Sequence, residues 1–172
     1  MIILLALCLT GNQYPDYRYA IIAGLIFSLA GDIFLMLPDD RFISGLVSFL
    51  MAHLAYIYAF TSGVGVGITA YIAFPVLIIG GIMYRYLSPG LGRMKLPVLI
   101  YMVVILVMVW VAWERWDVMG ENYRLSAPIG ASSFVVSDAL LAINRFRKPF
   151  NSARGWILFS YMIAQLLIAL SV

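Results

Sequence analysis

Six long apolar runs, separated by short stretches of charged and turn residues, constrain this chain more than any other feature of its sequence. Each has about 17–22 residues, enough for an α-helix to cross a hydrocarbon layer of roughly 30 Å. Because the runs are continuous rather than alternating in polarity, they predict helices and not the strands of a membrane barrel. The runs lie at about 19–37, 42–60, 66–87, 96–113, 126–143 and 155–171.

The composition agrees with a membrane protein. Hydrophobic residues make up 64% of the chain and charged residues 11%, whereas soluble domains average about half and a quarter. The loops between the runs are short, so we predict one all-α integral membrane domain over residues 1–172, with six full spans. We attribute the net charge of +3 to the basic loops that set the topology of a membrane protein, and we expect no nucleic-acid partner.

The first ten residues, MIILLALCLT, are apolar but too short to cross a membrane. As a helix they would span about 15 Å, and they lack the basic region and cleavage site of a signal peptide. We interpret residues 1–10 as the remaining half of an N-terminal helix, so we expect the natural chain to begin earlier. The single cysteine, Cys8, excludes an internal disulfide.

The distribution of Lys and Arg predicts the orientation. With six alternating spans, the loops near 38–41, 85–95 and 144–154 share one side and carry eight Lys and Arg residues, against three on the other side. The positive-inside rule places the richer side in the cytoplasm and the C-terminus outside. A bacterial inner membrane is the expected location.

Only two of the eight acidic residues, Asp32 and Asp138, lie within the apolar runs, as does the single histidine, His53. An ionisable side chain in a membrane is costly and is seldom present without a partner or a function. Each aspartate lies about five residues before the cytoplasmic end of its predicted helix, roughly 8 Å deep, and His53 lies deeper. A cavity that opens toward the cytoplasmic leaflet would accommodate all three.

Helical spacing predicts which way these residues point. Small residues recur every four positions before Asp32, at Ala20, Gly24 and Ser28, and such stripes mark close helix contacts. We therefore expect Asp32 to face the interior of the bundle. Tyr56 shares a helix face with His53, Ser137 precedes Asp138, and Asn144 and Arg145 close the same helix on the cytoplasmic side. Tyr161 and Gln165, four apart in the last helix, form a second polar face at about the depth of His53.

Two carboxyl groups in one apolar site favour a state with one protonated and one ionised, the arrangement used in general acid/base catalysis. Each residue also has a structural interpretation, because a buried Asp or His can simply tie helices together. With one histidine and no cysteine pair, a catalytic zinc site is not expected, and no cofactor is predicted. No G-x-S-x-G motif marks a nucleophilic serine.

Three blocks carry a likeness to a known family: AGLIFSLAGDIFLMLP at 23–38, FISGLVSFLMAHLAYIYAF at 42–60 and SDALLAINRF at 137–146. With these blocks, the chain resembles the YhhN-type lysoplasmalogenase family of multi-pass membrane proteins. The segment YMIAQLLIAL at 161–170 also resembles the closing helix of that family, and the resemblance as a whole extends over almost the whole chain. Members typically have eight helices, so the resemblance implies that this chain lacks the first helix and about half of the second, including a Lys-Pro element.

The resemblance implies hydrolysis of the vinyl ether bond of lysoplasmalogens, which yields a fatty aldehyde and a glycerophospho-headgroup. The expected partners are a lysophospholipid substrate and the surrounding membrane lipids. Our hypothesis is that Asp32 and Asp138 divide the acid and cation-stabilising roles, as the two carboxyls of a glycosidase do. His53, helped by Tyr56, would orient or deprotonate the water.

Two residues near the cytoplasmic end of the 126–143 run suit a phosphate headgroup. Arg145, and with it Asn144, would meet the phosphate at the membrane surface. Arg145 has an alternative interpretation as a plain positive-inside anchor.

Two other functions use the same acids. An intramembrane aspartyl protease also needs two aspartates, but Leu29 replaces the first glycine of its GxGD motif and Ser137 replaces a tyrosine. A proton-coupled transporter or lipid scramblase would use Asp32 and Asp138 as a proton relay. The segments around these residues share a loose likeness, a small residue and Asp before an apolar run, which leaves an ancient duplication open.

Overall fold

Six α-helices lie in the six apolar runs, which confirms the predicted all-α membrane bundle. The computed structural model describes Cys8 and residues 15–38, 41–64, 67, 69–120 and 125–172. Two short 3-10 turns, Ser88–Gly90 and Gly92–Met94, join the third helix to the fourth. In chain order the helices are α1 (Pro15–Met36), α2 (Phe42–Thr61), α3 (Ala70–Leu87), α4 (Lys95–Met119), α5 (Ser126–Phe146) and α6 (Ala153–Ala169).

The helices are not equally long. By length and apolar composition, α1 to α5 are each sufficient to cross a membrane. α6 has 17 residues, about 25 Å of helix against a hydrocarbon layer of roughly 30 Å. The sixth predicted span is therefore the shortest helix of the bundle.

The predicted N-terminal helix remnant, residues 1–10, lies outside the described residues apart from Cys8. This side chain is fully buried, and its thiol lies 3.8 Å from the backbone oxygen of Ala169. Cys8 therefore packs against the C-terminal end of α6.

Two helical hairpins and a central helix form the bundle. α1 packs closely along α2, and α5 packs closely along α6, while α4 contacts α2, α3 and α5. α3 is peripheral: it packs on α4, touches α5 and makes at most marginal contact with α2. We call the end of the bundle formed by residues 37, 38, 41, 88–94 and 147–152 the basic end, after the charges that surround it.

Glycines permit the close packing of α1 on α2. A Cβ atom at Gly24 would collide with the ring of Tyr56, and one at Gly31 would lie 2.7 Å from the ring of Phe49. Ser28, between them, is fully buried. The small-residue stripe of α1 thus faces α2, as predicted from its spacing.

The end of α4 was predicted too early, at residue 113. The helix continues to Met119 and carries two buried charged side chains, Glu114 and Arg115. Both carboxylate oxygens of Glu114 accept hydrogen bonds: the Thr69 amide donates over 2.6 Å, the Thr69 hydroxyl over 2.8 Å and the Trp110 indole over 3.0 Å. The charge ends the apolar run without ending the helix, because partners satisfy it.

Arg115 fastens the segment that follows α2. Its guanidinium donates to the backbone oxygens of Ser62, over 2.6 Å, and Phe60, over 3.3 Å, and lies 4.8 Å from the ring centroid of Tyr17. Together, Glu114 and Arg115 hold the connection between α2 and α3 against the end of α4. Arg115 is therefore a buried structural residue.

Three polar contacts close the bundle between α6 and the first hairpin. The Tyr161 hydroxyl donates to Asp32 over 2.8 Å, and the Tyr56 hydroxyl donates to Gln165 over 2.9 Å. Beyond the end of α6, the hydroxyl oxygens of Ser171 and Tyr17 lie 2.6 Å apart. Because α6 packs only lightly on α1, these hydrogen bonds supply much of the attachment between α6 and the first hairpin.

Gly130 sets the distance between α5 and α6, so a larger side chain there should destabilise the protein. A Cβ atom at this position would lie 2.9 Å from Ile168 Cγ1 and 3.0 Å from the backbone oxygen of Ala164. We expect Gly130→Leu to lower the free energy of unfolding by about 1–3 kcal/mol, the usual range for overpacking. Thermal unfolding in detergent measures this, with Gly81→Leu as the control because no atom lies near its Cβ position. Equal midpoints for the two variants would contradict the prediction.

Candidate functional site

Asp138 lies in the wall of an apolar cavity near the basic end of the bundle. Residues from α2, α3, α4 and α5, with Leu35 from α1, line this cavity. Its volume of about 80 Å³ holds several water molecules, each of which needs roughly 10–15 Å³. The lining is apolar except for the carboxyl of Asp138 and the hydroxyl of Tyr101.

The two polar groups of the cavity are bonded to each other. The Tyr101 hydroxyl on α4 donates a hydrogen bond to Asp138 Oδ2 on α5. Tyr101 is buried and Asp138 is half-buried. The site thus offers one carboxyl group, held by a phenol, to any molecule that occupies the cavity.

Asp32 forms a second tyrosine–carboxyl pair outside the cavity. It is half-buried and accepts the hydrogen bond from Tyr161. Phe49 lines the cavity and packs edge-to-face on Tyr161, with ring centroids 6.0 Å apart. The cavity therefore ends at Phe49 on the side toward Asp32, and the single cavity that we expected for all three residues contains only Asp138.

The two aspartates also differ in position along their helices. Asp32 is four residues from the end of α1, whereas Asp138 is eight residues from the end of α5, because α5 extends to Phe146 and not to 143. Counted from the end of its own helix, Asp138 is about 6 Å further in than Asp32. The similar depth of the two carboxyls in the membrane stays a prediction.

His53 is completely buried between the two pairs. Its ring packs edge-to-face on Tyr101, at 5.2 Å between centroids, and on Phe134, at 4.7 Å. Neither imidazole nitrogen has a hydrogen-bond partner among the residues that the structure describes. His53 does not line the cavity but lies directly behind Tyr101.

A continuous row of aromatic contacts joins the two aspartates. Tyr161, which bonds Asp32, packs on Phe134 with ring centroids 5.5 Å apart. Phe134 packs on His53, and His53 packs on Tyr101, which bonds Asp138. The structure thus connects Asp32, His53 and Asp138 through side chains rather than through one open space.

Three of the predicted substrate-binding residues are used between helices. Tyr56 and Gln165 bond each other, and the Ser137 hydroxyl donates to the backbone oxygen of Ile157 over 3.0 Å. None of these three side chains lines the cavity. Their role toward a substrate stays a prediction.

Asn144 and Arg145 lie at the basic end, as predicted. Asn144 Oδ1 accepts a hydrogen bond of 3.2 Å from the Phe150 amide and so holds the turn after α5. Arg145 is exposed, and its guanidinium lies 4.1 Å from the ring centroid of Phe42, which lines the cavity. A positive charge therefore lies next to the cavity at the basic end of the bundle.

Tyr101 is the site residue that the sequence analysis missed. It lies in the middle of the apolar run LPVLIYMVVILV, where a tyrosine resembles any other lipid-facing or core aromatic residue. Only the way α4 packs on α5 brings it to Asp138. In the described part of the chain, no three His, Cys, Asp or Glu side chains are grouped as a metal site would require.

Comparisons with known proteins give consistent matches. The sequence profile of the YhhN family matches residues 1–172. The chain is 35% identical over 159 residues to lysoplasmalogenase TMEM86A of Bos taurus, which covers 88% of this chain and 64% of that protein. It is 32% identical over 171 residues to lysoplasmalogenase TMEM86B of Homo sapiens, covering 96% of this chain and 70% of the human protein.

A bacterial relative matches along almost the whole chain. The membrane protein YhhN of Escherichia coli O157:H7 is 26% identical over 171 residues, which is 99% of this chain and 82% of the relative. The chain spans less than two thirds of the bovine relative. No solved structure gives a significant match.

Proposed function

Since this chain belongs to the YhhN family, we propose that it hydrolyses the vinyl ether bond of single-chain alkenyl phospholipids. The products are a fatty aldehyde and a glycerophospho-headgroup. The observation that carries the proposal is the carboxyl of Asp138 in an otherwise apolar cavity near the basic end. Two relatives are named lysoplasmalogenases, TMEM86A and TMEM86B.

The spacing of Arg145 and Asp138 fits such a lipid. The two residues are seven apart on α5, so their side chains lie near one helix face, separated by about 10 Å along the axis. In the substrate, seven bonds separate phosphorus from the β-carbon of the vinyl ether, about 9 Å when extended. A phosphate held at Arg145 would place the reacting double bond beside Asp138.

Hydrolysis begins with a proton transfer from a carboxylic acid to the β-carbon of the vinyl ether. We assign this transfer to Asp138, because its carboxyl lines the cavity. The C=C π bond supplies the electron pair for the new C–H bond, and the positive charge becomes an oxocarbenium ion. Asp138 is then a carboxylate, and the hydrogen bond from Tyr101 stabilises its charge.

The other two predicted catalytic residues act in this proposal from outside the cavity. Asp32 lies behind Phe49, yet a negative charge in a low-dielectric interior attracts the oxocarbenium ion without touching it. The predicted role of His53, to orient or deprotonate the water, requires a water molecule behind Tyr101, because the imidazole does not line the cavity. Water adds to the cationic carbon and gives up one proton to the Asp138 carboxylate, which restores the acid, and the hemiacetal then collapses to aldehyde and alcohol.

The basic end is proposed to face the cytoplasm of a bacterial inner membrane. Eight of the eleven Lys and Arg residues belong to the loops of this end in the predicted topology. The cavity then lies at the level of the cytoplasmic leaflet.

Aldehyde release from purified protein tests the proposed activity. The chain in detergent is given an alkenyl lysophospholipid or its saturated alkyl counterpart, which cannot form an oxocarbenium ion by protonation. We expect aldehyde only from the alkenyl lipid, with Asp16→Asn, an exposed acid at the start of α1, as active as the unsubstituted protein. No aldehyde from the alkenyl lipid would overturn the proposal.

Tyr101→Phe should slow the reaction without weakening substrate binding. The variant keeps the ring that packs on His53 and removes only the hydroxyl that donates to Asp138. A hydrogen bond to a charged group is worth about 1.5–3 kcal/mol, so kcat should fall about 10- to 100-fold. Steady-state kinetics would show this loss with little change in KM. Tyr58→Phe, at an exposed position on α2, should leave kcat unchanged, and an equal loss there would contradict the assignment.

A further inference from the structure

The cavity is closed toward the basic end by aromatic and apolar side chains. Phe42 and Phe146 pack edge-to-face there, with ring centroids 5.7 Å apart, and Arg145 lies over Phe42. Leu87 and Leu91, at the turn between α3 and α4, are almost fully buried in a cluster that includes Phe146. Direct access from water along the bundle axis is therefore blocked.

The side between α2 and α3 is different. Leu46 and Phe49 of α2 and Ile79 and Met83 of α3 all line the cavity, yet α2 and α3 make at most marginal contact. Leu46 is one turn inward from Phe42, and Met83 is one turn inward from Leu87, so they lie at similar depth. The cavity thus has an apolar opening on its membrane-facing side, which we call the α2–α3 opening.

The lining of the cavity is short along the helix axis compared with an extended long alkyl chain. On α5 the lining extends only one turn deeper than Asp138, to Val135. A chain whose vinyl ether lies at Asp138 must therefore leave the cavity, and the α2–α3 opening leads into the hydrocarbon layer.

We propose that a single-chain phospholipid reaches the site sideways from the membrane through the α2–α3 opening, with its alkyl chain held there between Leu46, Ile79 and Met83. This inference rests on the proposed function for the placement of the headgroup at Arg145 and the ether at Asp138. The charge of Arg145 matches a phosphate, and the apolar opening matches the chain. The substrate never has to leave the bilayer completely.

A saturated 1-alkyl lysophospholipid with a photoreactive diazirine in the middle of its chain tests this path. The protein cannot cleave this probe by vinyl ether protonation, so labelling reports binding alone. We expect competitor-sensitive labelling on the α2 and α3 peptides that contain Leu46, Ile79 and Met83. Labelling confined to α1 or α6 would overturn the path.

Two neighbouring isoleucines on α3 provide a matched pair of variants. Ile79 lines the cavity and is 55% exposed, while Ile78 is 45% exposed and does not line it. Ile79→Trp should obstruct the opening and weaken probe binding about tenfold, the equivalent of roughly two lost methylene contacts. Ile78→Trp should bind the probe like the unsubstituted protein. Equal binding by both variants, at matched thermal stability, would overturn the proposal.

A third variant, Ile79→Ala, is a control for misfolding at this position. It widens the opening, so the folded protein should retain or improve binding of the probe.

The results also separate this inference from the proposed function. Labelling in the opening without aldehyde release from an alkenyl lipid would contradict the proposed hydrolase activity and support the proposed lipid path. Aldehyde release with labelling elsewhere would support the hydrolase activity and contradict the lipid path.

Discussion

The Asp138→Asn protein is expected to release aldehyde about 10²–10⁴ times more slowly than the unsubstituted protein, the usual contribution of general acid catalysis. An amide has nearly the same shape as a carboxyl and can still accept a hydrogen bond from Tyr101, so the cavity should persist. What it cannot do is deliver a proton to carbon. Aldehyde release under saturating alkenyl lysophospholipid measures kcat directly, and near-normal turnover would remove Asp138 from the mechanism.

The same measurement on Asp32→Asn distinguishes chemistry from structure at the second aspartate. Asp32 accepts a hydrogen bond from Tyr161 that ties α1 to α6. If its charge stabilises the oxocarbenium ion, kcat falls while thermal stability stays close to normal. If it serves mainly to close the bundle, the unfolding midpoint falls and the remaining folded protein keeps its turnover.

Glu114→Ala is expected to destabilise the protein by about 2–4 kcal/mol. The carboxylate accepts bonds from the Thr69 amide and the Trp110 indole as well as from the Thr69 hydroxyl. Without it, two N–H donors lose their partners at partly buried positions, and each unsatisfied group costs about 1–3 kcal/mol. The segment between α2 and α3 should loosen from α4, and limited proteolysis at residues 62–69 should speed up.

Glu114→Gln provides the sharp control for this loss. The amide oxygen can keep the bonds from Thr69 N and Trp110, while the Thr69 hydroxyl can turn to accept from the amide nitrogen. We expect less than about 1 kcal/mol of destabilisation, because both N–H donors keep an acceptor. Chemical unfolding in detergent compares the two variants, and an equally large loss in both would show that the negative charge itself is required.

The helices were predictable because apolar side chains in a membrane allow few alternatives to a helix. Their ends were less so. The run of α4 stops at Trp113, but Glu114 and Arg115 remain inside because the end of α2 and the segment after it bring them Phe60, Ser62 and Thr69 as partners. Such partners are distant in sequence, and the periodicity of α4 does not predict them.

The site was predictable in part for a similar reason. Asp138 and Arg145 belong to one helix, so their spacing follows from helical geometry alone. Tyr101 bonds Asp138, and Phe49 separates Asp32 from the cavity. Both relations depend on how α4, α5 and α2 are rotated against one another. Local sequence does not determine that rotation, so the row of rings that joins the two aspartates is visible only in the fold.

His53 reduces the stability of the interior. Leaving a buried polar group without a hydrogen bond costs about 1–3 kcal/mol, and both nitrogens of this imidazole lack one within the described residues. A leucine or phenylalanine at this position, against Phe134 and Tyr101, would carry no such cost. On the proposed function, the native state gives up some of its margin against unfolding to keep an imidazole behind Tyr101.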